Sequence, residues 1–400
     1  MTRGSAAPAG IAILLGALAG LAPFALDTYL PAFPEIADSL ATSRVAVQQS
    51  LTSYLAPYSA AMLLHGPVSD RYGRRATLIG ALIVFCAGSL GCAMAPTIEA
   101  LLGWRMLQGA SVGATTVVGR ALIRDLFEGA AAQRQYALVN TAFTLAPVLA
   151  PIVGGYLLVT AGWRSIFWFL LAYPLLLLVA TWLWLPESLP RKSRTPVHVG
   201  RIVGNLVALG REPALGALAL MMAAGFCGFF VYILAAPFFL RDLLGLAPTE
   251  FGWLFFATAC GTMVGSQWAA RRADTKPPAA TIRLGLSLAA AAAFVNVVYH
   301  TAFAPALPWS VLPLTLYCCG NALVLPSATV LLLDSSSLPR GATSSLQSFL
   351  QIACATLTSA LIVPVVAHSA SFLALAMLGW WTLAVACWLV FRRVLPTSLR

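Results

Sequence analysis

Read for hydrophobic and polar positions, the chain is a series of apolar runs of about 20 residues broken by short polar turns. The runs fall near 11–33, 48–65, 76–95, 99–119, 136–158, 165–185, 213–236, 250–270, 281–301, 309–333, 342–366 and 370–391. Each is long enough to cross the hydrocarbon core of a bilayer as a helix. The pattern predicts an all-α integral membrane protein, a bundle of 12 transmembrane helices in two pseudo-symmetric six-helix halves. The longest polar stretch, 186–212, carries Pro186, Pro190 and Pro196 and divides the runs six and six. The expected organisation is therefore a first half over 1–185, a linker over 186–212 and a second half over 213–400. Residues 1–10, with Arg3, followed by an apolar run, have the layout of a signal peptide. The far end of that run reads Leu26-Asp27-Thr28-Tyr29-Leu30-Pro31-Ala32-Phe33-Pro34, and a signal h-region would not carry an aspartate, so it is expected to stay as the first helix.

Composition sharpens this picture. Apolar residues make up 60% of the 400 and charged residues 9%, outside the range of soluble domains. The net charge of +11 would suggest nucleic acid in a soluble protein, but its placement argues otherwise. Lys and Arg number twenty in the N-terminal tail, alternate loops and C-terminus, against three (Arg44, Arg164, Arg241) in the opposite loops. By the positive-inside rule both termini are expected in the cytoplasm. The eight cysteines all lie in apolar runs without metal-ligand spacing, so free thiols and no metal are expected. No G-x-x-x-x-G-K-[S/T] run offers a site for ATP, and His65, His198, His300 and His368 are scattered, so neither an enzyme nor a cofactor is expected.

Three places carry chemistry. The stretch Gly66-Pro67-Val68-Ser69-Asp70-Arg71-Tyr72-Gly73-Arg74-Arg75 is read as a short charged linker joining two antiparallel spans, with Gly66 admitting a neighbouring helix and Gly73 making the tight turn. Asp27 is the one acidic residue well inside a span, where a charged carboxylate costs roughly 2.5–3.5 kcal/mol, and is read as a proton site or substrate contact. Arg105, the one basic residue deep in a span, shares its depth and is its natural partner. After Arg105 come Gln108, Val112, Thr115, Thr116 and Gly119 at helical spacing, and Gln347 and Gln351 lie one turn apart in the eleventh span. With the aromatic Tyr54, Tyr58, Phe226 and Phe230 and with Asn321, residues of these stripes are the candidates for a cavity lining. In the fifth span, Pro147 and Pro151 are expected to bend the helix, and Gly154 and Gly155 to allow close contact.

The pattern G-x-x-x-D-R-x-G-R-R over 66–75 resembles motif A of the major facilitator superfamily. The segment around Asp27, Arg105-Met106-Leu107-Gln108-Gly109 and the Pro/Gly run of the fifth span resemble motifs D, B and C of its twelve-span drug:proton antiporters, in particular the Bcr/CflA group. That resemblance implies alternating access, a central cavity between the halves, and export of drugs driven by inward proton flow across a bacterial inner membrane. It makes Asp27 the proton-titrating carboxylate, Arg105 the motif B arginine and Gln108 a cavity residue. It also puts Asp70 and Arg74 in a charge relay with Asp125 as the partner of Arg74. The expected partners are a small molecule, protons and lipid, the chain acting as a monomer without nucleic acid or ATP. With one deep carboxylate and one deep arginine, neutral amphiphiles are the expected substrates. A proton-coupled importer of a small metabolite on the same fold is the other reading.

Overall fold

The computed structural model describes residues 9–394, so Arg3 and Arg400 of the charge census lie outside the described residues. The chain divides into two compact units between Val199 and Gly200.

The first unit contains α1 (Ala9–Asp27), a 3₁₀ turn (Leu30–Ala32), α2 (Phe33–Ser39), α3 (Arg44–Tyr72), α4 (Arg74–Ala93), α5 (Ile98–Leu126), α6 (Gly129–Ala161) and α7 (Trp163–Trp184). The second holds α8 (Val199–Arg211), which begins at the division, then α9 (Pro213–Leu234), α10 (Gly252–Ala273), α11 (Pro278–Ala302) and α12 (Leu312–Ser335). It ends with α13 (Arg340–Leu357), which runs through a π-helical turn into α14 (Val363–Val366), and α15 (Ala370–Val394). There is no strand among the described residues. The twelve predicted spans correspond to α1, α3–α7, α9–α12, α13 with α14, and α15.

Two boundaries differ from expectation. The charged stretch 66–75 is not a ten-residue linker: α3 continues through Pro67 to Tyr72, and Gly73 alone joins it to α4. Gly73 has φ +102°, open to glycine and strained for any side chain. The stretch 186–212, expected as loop, contains α8, because Ile202, Val203, Leu206 and Val207 repeat at helical spacing between its basic residues.

Among the described residues, nine helices are long and apolar enough to cross a membrane by length and composition alone, and α3, α5 and α10 are not among them. The first two bury polar residues: Gln48 and Ser50 on α3, and Arg105, Gln108, Ser111 and Thr115 on α5. Their polarity serves the interior of the bundle. The outside is apolar, with Tyr156, Val159, Leu176 and Trp182 all more than 60% exposed, as lipid contact requires.

The same pairing recurs in both units. In the first, α3 and α4 pack on α5, α4 packs on α7, and α1 packs on α6. In the second, α10 and α11 pack on α12, α11 packs on α15, and α9 packs on α13. Glycines one turn apart let the closest pairs meet. On α5, a methyl group at Gly109 would collide with the Tyr54 carbonyl of α3, and one at Gly113 would lie 2.6 Å from Ala61 Cβ. On α10, Gly261 and Gly265 press on the carbonyls of Thr315 and Cys319 of α12. Gly109→Ala is therefore expected to cost about 1–3 kcal/mol through overpacking. Gly103→Ala, with open space around it, should be neutral or stabilising by up to ~1 kcal/mol. Thermal unfolding of the solubilised variants checks the contrast.

Candidate functional site

Two constellations form in the first unit. The deeper one is built on α5, whose N-terminus is capped by the Thr97 hydroxyl. Two turns in, Arg105 is fully buried. Its Nη1 donates to the Ala25 carbonyl at 3.0 Å and to Gln108 Oε1 at 2.8 Å. Its guanidinium carbon lies 4.4 Å from the ring centroids of both Tyr29 and Tyr54, a cation held between two aromatic rings. The chain of donors continues: Gln108 Nε2 donates to Ser89 Oγ at 2.8 Å, and Ser89 donates to the Phe85 carbonyl at 2.9 Å. Tyr54 OH donates to the Ala22 carbonyl at 3.2 Å.

Asp27 is buried at the last residue of α1, 3% exposed, so it does not reach out to the membrane surface. The expected pairing with Arg105 is not made. Asp27 Oδ1 and Arg105 Nε and Nη2 are each buried without a hydrogen-bond partner. The reason lies in the end of a helix. The last four carbonyls of an α-helix lack intrahelical donors, and Ala25 is among them. The guanidinium satisfies that carbonyl at the negative end of the helix dipole. Asp27, two residues on, is turned by about 200°. Just beyond it, α6 comes so close at Gly154 that a methyl group there would overlap the Thr28 carbonyl. Gly155 and Pro151 are buried beside it, Pro147 is half-buried, and α6 remains one helix through both prolines.

The expected cavity lining needs correction here. Gln108 is fully buried between α4 and α5 and bonded on both sides, and Tyr54 is a wall of the Arg105 site. Val112, one turn on, is also fully buried. Gln108 and Tyr54 face their own unit because Arg105 draws on both. Tyr58, 7% exposed, lies 3.5 Å from Thr116 Oγ1 through its hydroxyl.

The second constellation sits where α3 meets α4. Arg74 Nη1 lies 2.6 Å from Asp70 Oδ1 and its Nε 3.2 Å from Asp125 Oδ2, so the expected trio is brought together. Nη1 also donates to Ser69 Oγ at 2.5 Å. Arg75 instead gives Nη2 to the Trp182 carbonyl, and Arg71 is exposed over the Tyr72 ring at 5.2 Å. Gly66 is not a close approach in this unit: a methyl group there would meet Val117 Cγ1 at an ordinary 3.8 Å.

Two partners were missed. Glu187, after α7, accepts from the Arg74 backbone N–H at 2.8 Å and pairs with Arg194 at 3.8 Å. Ser188 donates to Asp125 Oδ2 at 2.9 Å. The signal was present: an acid directly after the sixth span, while the bare start of α4 offered its N–H groups and Gly73 had no side chain to accept them.

In the second unit, the Phe226 and Phe230 rings stack at 4.6 Å with Phe229 edge-on. Asn321 of α12 sits against Gly225, where a methyl group would lie 2.6 Å from its Oδ1. Gln347 donates to Gln351 at 3.1 Å, and both are half-buried.

A family model described as Major Facilitator Superfamily matches residues 15–363. The chain belongs to this superfamily. It is 32% identical over 354 residues to the uncharacterized MFS-type transporter YdgK of Bacillus subtilis (strain 168), covering 88% of each chain. It is 30% identical over 279 residues, 69% of each, to the bicyclomycin resistance protein homolog of Haemophilus influenzae. The crystal structure of a D-xylose-proton symporter shares the fold at a TM-score of 0.73 and 18% identity, over 97% of this chain and 98% of that one. As a facilitator-superfamily member the chain is a multi-pass membrane transporter of small molecules.

For the hairpin of this facilitator, a double-mutant cycle of Arg74→Ala and Asp125→Ala should return a coupling of about 0.5–3 kcal/mol. Glu187→Ala should cost roughly 0.5–2 kcal/mol by removing an acceptor at the start of α4, and Glu187→Gln, which keeps an oxygen, should cost less. Thermal unfolding reads both.

Proposed function

We propose that this transporter exports small, neutral amphiphilic drugs in exchange for protons, by alternating access of its two halves, as a monomer in a bacterial inner membrane with both termini cytoplasmic. Drug export is supported by relatives such as the bicyclomycin resistance protein homolog. The observation that carries the coupling is Asp27. It is a buried carboxyl group with an unpaired oxygen, at the end of the same helix that Arg105 caps two residues earlier. A proton arriving there changes the charge of a site that already holds one guanidinium. Asp27 is the proton-binding group in this reading, and Arg105 fixes the helix end on which it sits. The aromatic group of Phe226 and Phe230, with Asn321, Gln347 and Gln351, supplies apolar and amide surface to the drug. The Asp70–Arg74–Asp125 cluster, with Gly73 and the flanking Arg71 and Arg75, is the conformational gate. Pro147, Pro151, Gly154 and Gly155 set the bend and the contact of α6.

Asp27→Asn is expected to abolish proton-driven export while leaving the protein folded in the membrane. Exchange of drug for protons at the parental rate in vesicles would remove Asp27 from the coupling role.

Substrate charge follows from the same group. A dication would find one carboxylate at most within the spans to offset its charge, while the buried Arg105 adds a further positive charge to the first unit. Neutral drugs avoid that repulsion. Exchanging one proton for one neutral molecule moves one charge inward, so a membrane potential contributes roughly 2.3 kcal/mol per 100 mV. In an efflux-deficient host the protein should raise resistance to neutral amphiphiles above that to dications, and vesicle export should respond to potential as well as to pH. Export indifferent to potential, or favouring dications, would refute this reading.

A further inference from the structure

A groove of about 450 Å³ lies between α3, α4 and α5, away from the buried Arg105 site. Its walls include His65 and Tyr72 of α3, Thr77, Gly80 and Val84 of α4, and Ser111 of α5. From His65 to Tyr72 the wall rises about 10 Å along the helix axis, so the groove is a slot parallel to the spans and ends at the hairpin. The Thr77 hydroxyl donates to the Gly73 carbonyl at 2.8 Å and the Ser111 hydroxyl to the Gln108 carbonyl at 2.9 Å. With both hydroxyls turned back on their own helices, the walls are apolar in effect. The slot is open to the outside: Tyr72 is 54% and Val84 37% exposed, and Gly80 is exposed as well.

At the hairpin end stands a cation. Arg71 lies 5.2 Å from the centroid of the Tyr72 ring that lines the slot, and it has no carboxylate partner among the described residues. Its neighbour Arg74 takes both acids of the cluster, and Arg75 gives Nη2 to the Trp182 carbonyl. An apolar slot on the surface of membrane-spanning helices, ending at an unpaired guanidinium, has the chemistry of a phospholipid site. An acyl chain fills the slot, and a phosphate meets the arginine. We propose that this groove binds one anionic phospholipid, with its acyl chain between α3 and α4 and its headgroup phosphate on Arg71. The preference is for an anionic headgroup because Arg71 and Arg75 leave the turn positive, and a zwitterionic lipid would bring a further cation to it.

The test is native mass spectrometry of the purified full-length protein with phosphatidylglycerol or phosphatidylcholine. The parent should retain phosphatidylglycerol about fivefold better, the value expected for one arginine near a membrane surface. Gly80→Leu adds a side chain where a methyl group meets nothing within 4 Å, so it fills the slot without a clash and should remove the retention. Arg71→Gln should remove the preference and leave weak binding of both lipids. Gly103→Leu, on α5 with open space and outside the groove, should behave as the parent. If Gly80→Leu does not fold, Val84→Trp fills the slot from the same wall. Equal retention of the two lipids by the parent would overturn the proposal, as would undiminished retention in the slot-filling variant. Displacement of the lipid by an amphiphilic drug at the drug's transport affinity would give the groove to the substrate and overturn it as well.

Discussion

A guanidinium with no exposure to solvent is the constraint around which the first unit is arranged. Removing such a charge from water costs several kcal/mol even after relaxation, and no acid offsets it here. Arg105 is held instead by the open carbonyl at the end of α1, the Gln108 amide oxygen and the faces of two tyrosines. Each of those partners fixes an element. The turn at Leu30–Ala32, started by Pro31, makes α1 end where its carbonyl is free. Gly88 leaves room for the Gln108 stem, and Gly109 brings α3 close enough for Tyr54 to reach the cation. Moving any of these helices would expose or strand the charge.

The hairpin is governed by a different rule, the supply of partners to helix ends. Because one residue joins α3 to α4, the start of α4 has no preceding side chain to cap it. Glu187, 113 residues later, supplies the acceptor, and Ser188 joins the same cluster through Asp125. The end of α7 is thereby tied to the turn between α3 and α4. A network of acids and arginines that shares donors across three segments responds as a unit, which suits a region proposed to change with the transport cycle.

The two units repeat one packing scheme, yet the sequence carries only a weak trace of it. After the second span comes Gly66 to Arg75, and after the eighth a degraded echo, Gly265 to Arg272. The structure explains the weakness. What is repeated is the close approach of two helices, and the glycines that allow it sit on α5 in the first unit and on α10 in the second. Either partner can carry the small residues, so the contact is preserved while its letters move. Gly265 accordingly makes the close contact expected of Gly66, which meets Val117 at ordinary distance.

Span number and class were legible from the chain, because membrane insertion selects on local hydropathy; the trio Asp70, Arg74 and Asp125 was implied by the resemblance of 66–75 to motif A. Asp27 and Arg105 were legible because charges in an apolar sequence stand out: each is costly where it lies and so marks a site. Their relation was not legible. The partner Arg105 takes is a backbone carbonyl, which every residue possesses and no letter records, and the direction of Gln108 depends on which neighbouring helix holds a hydroxyl at Ser89. The two ends of the tie from Glu187 to Arg74 were marked, an acid after the sixth span and an uncapped helix start, but their separation in sequence hid that they meet. Residue type and period set which segments enter the membrane and which groups are expensive there. Only the packing of the helices decided how those groups are satisfied, since the open ends of helices become partners once the chain is folded.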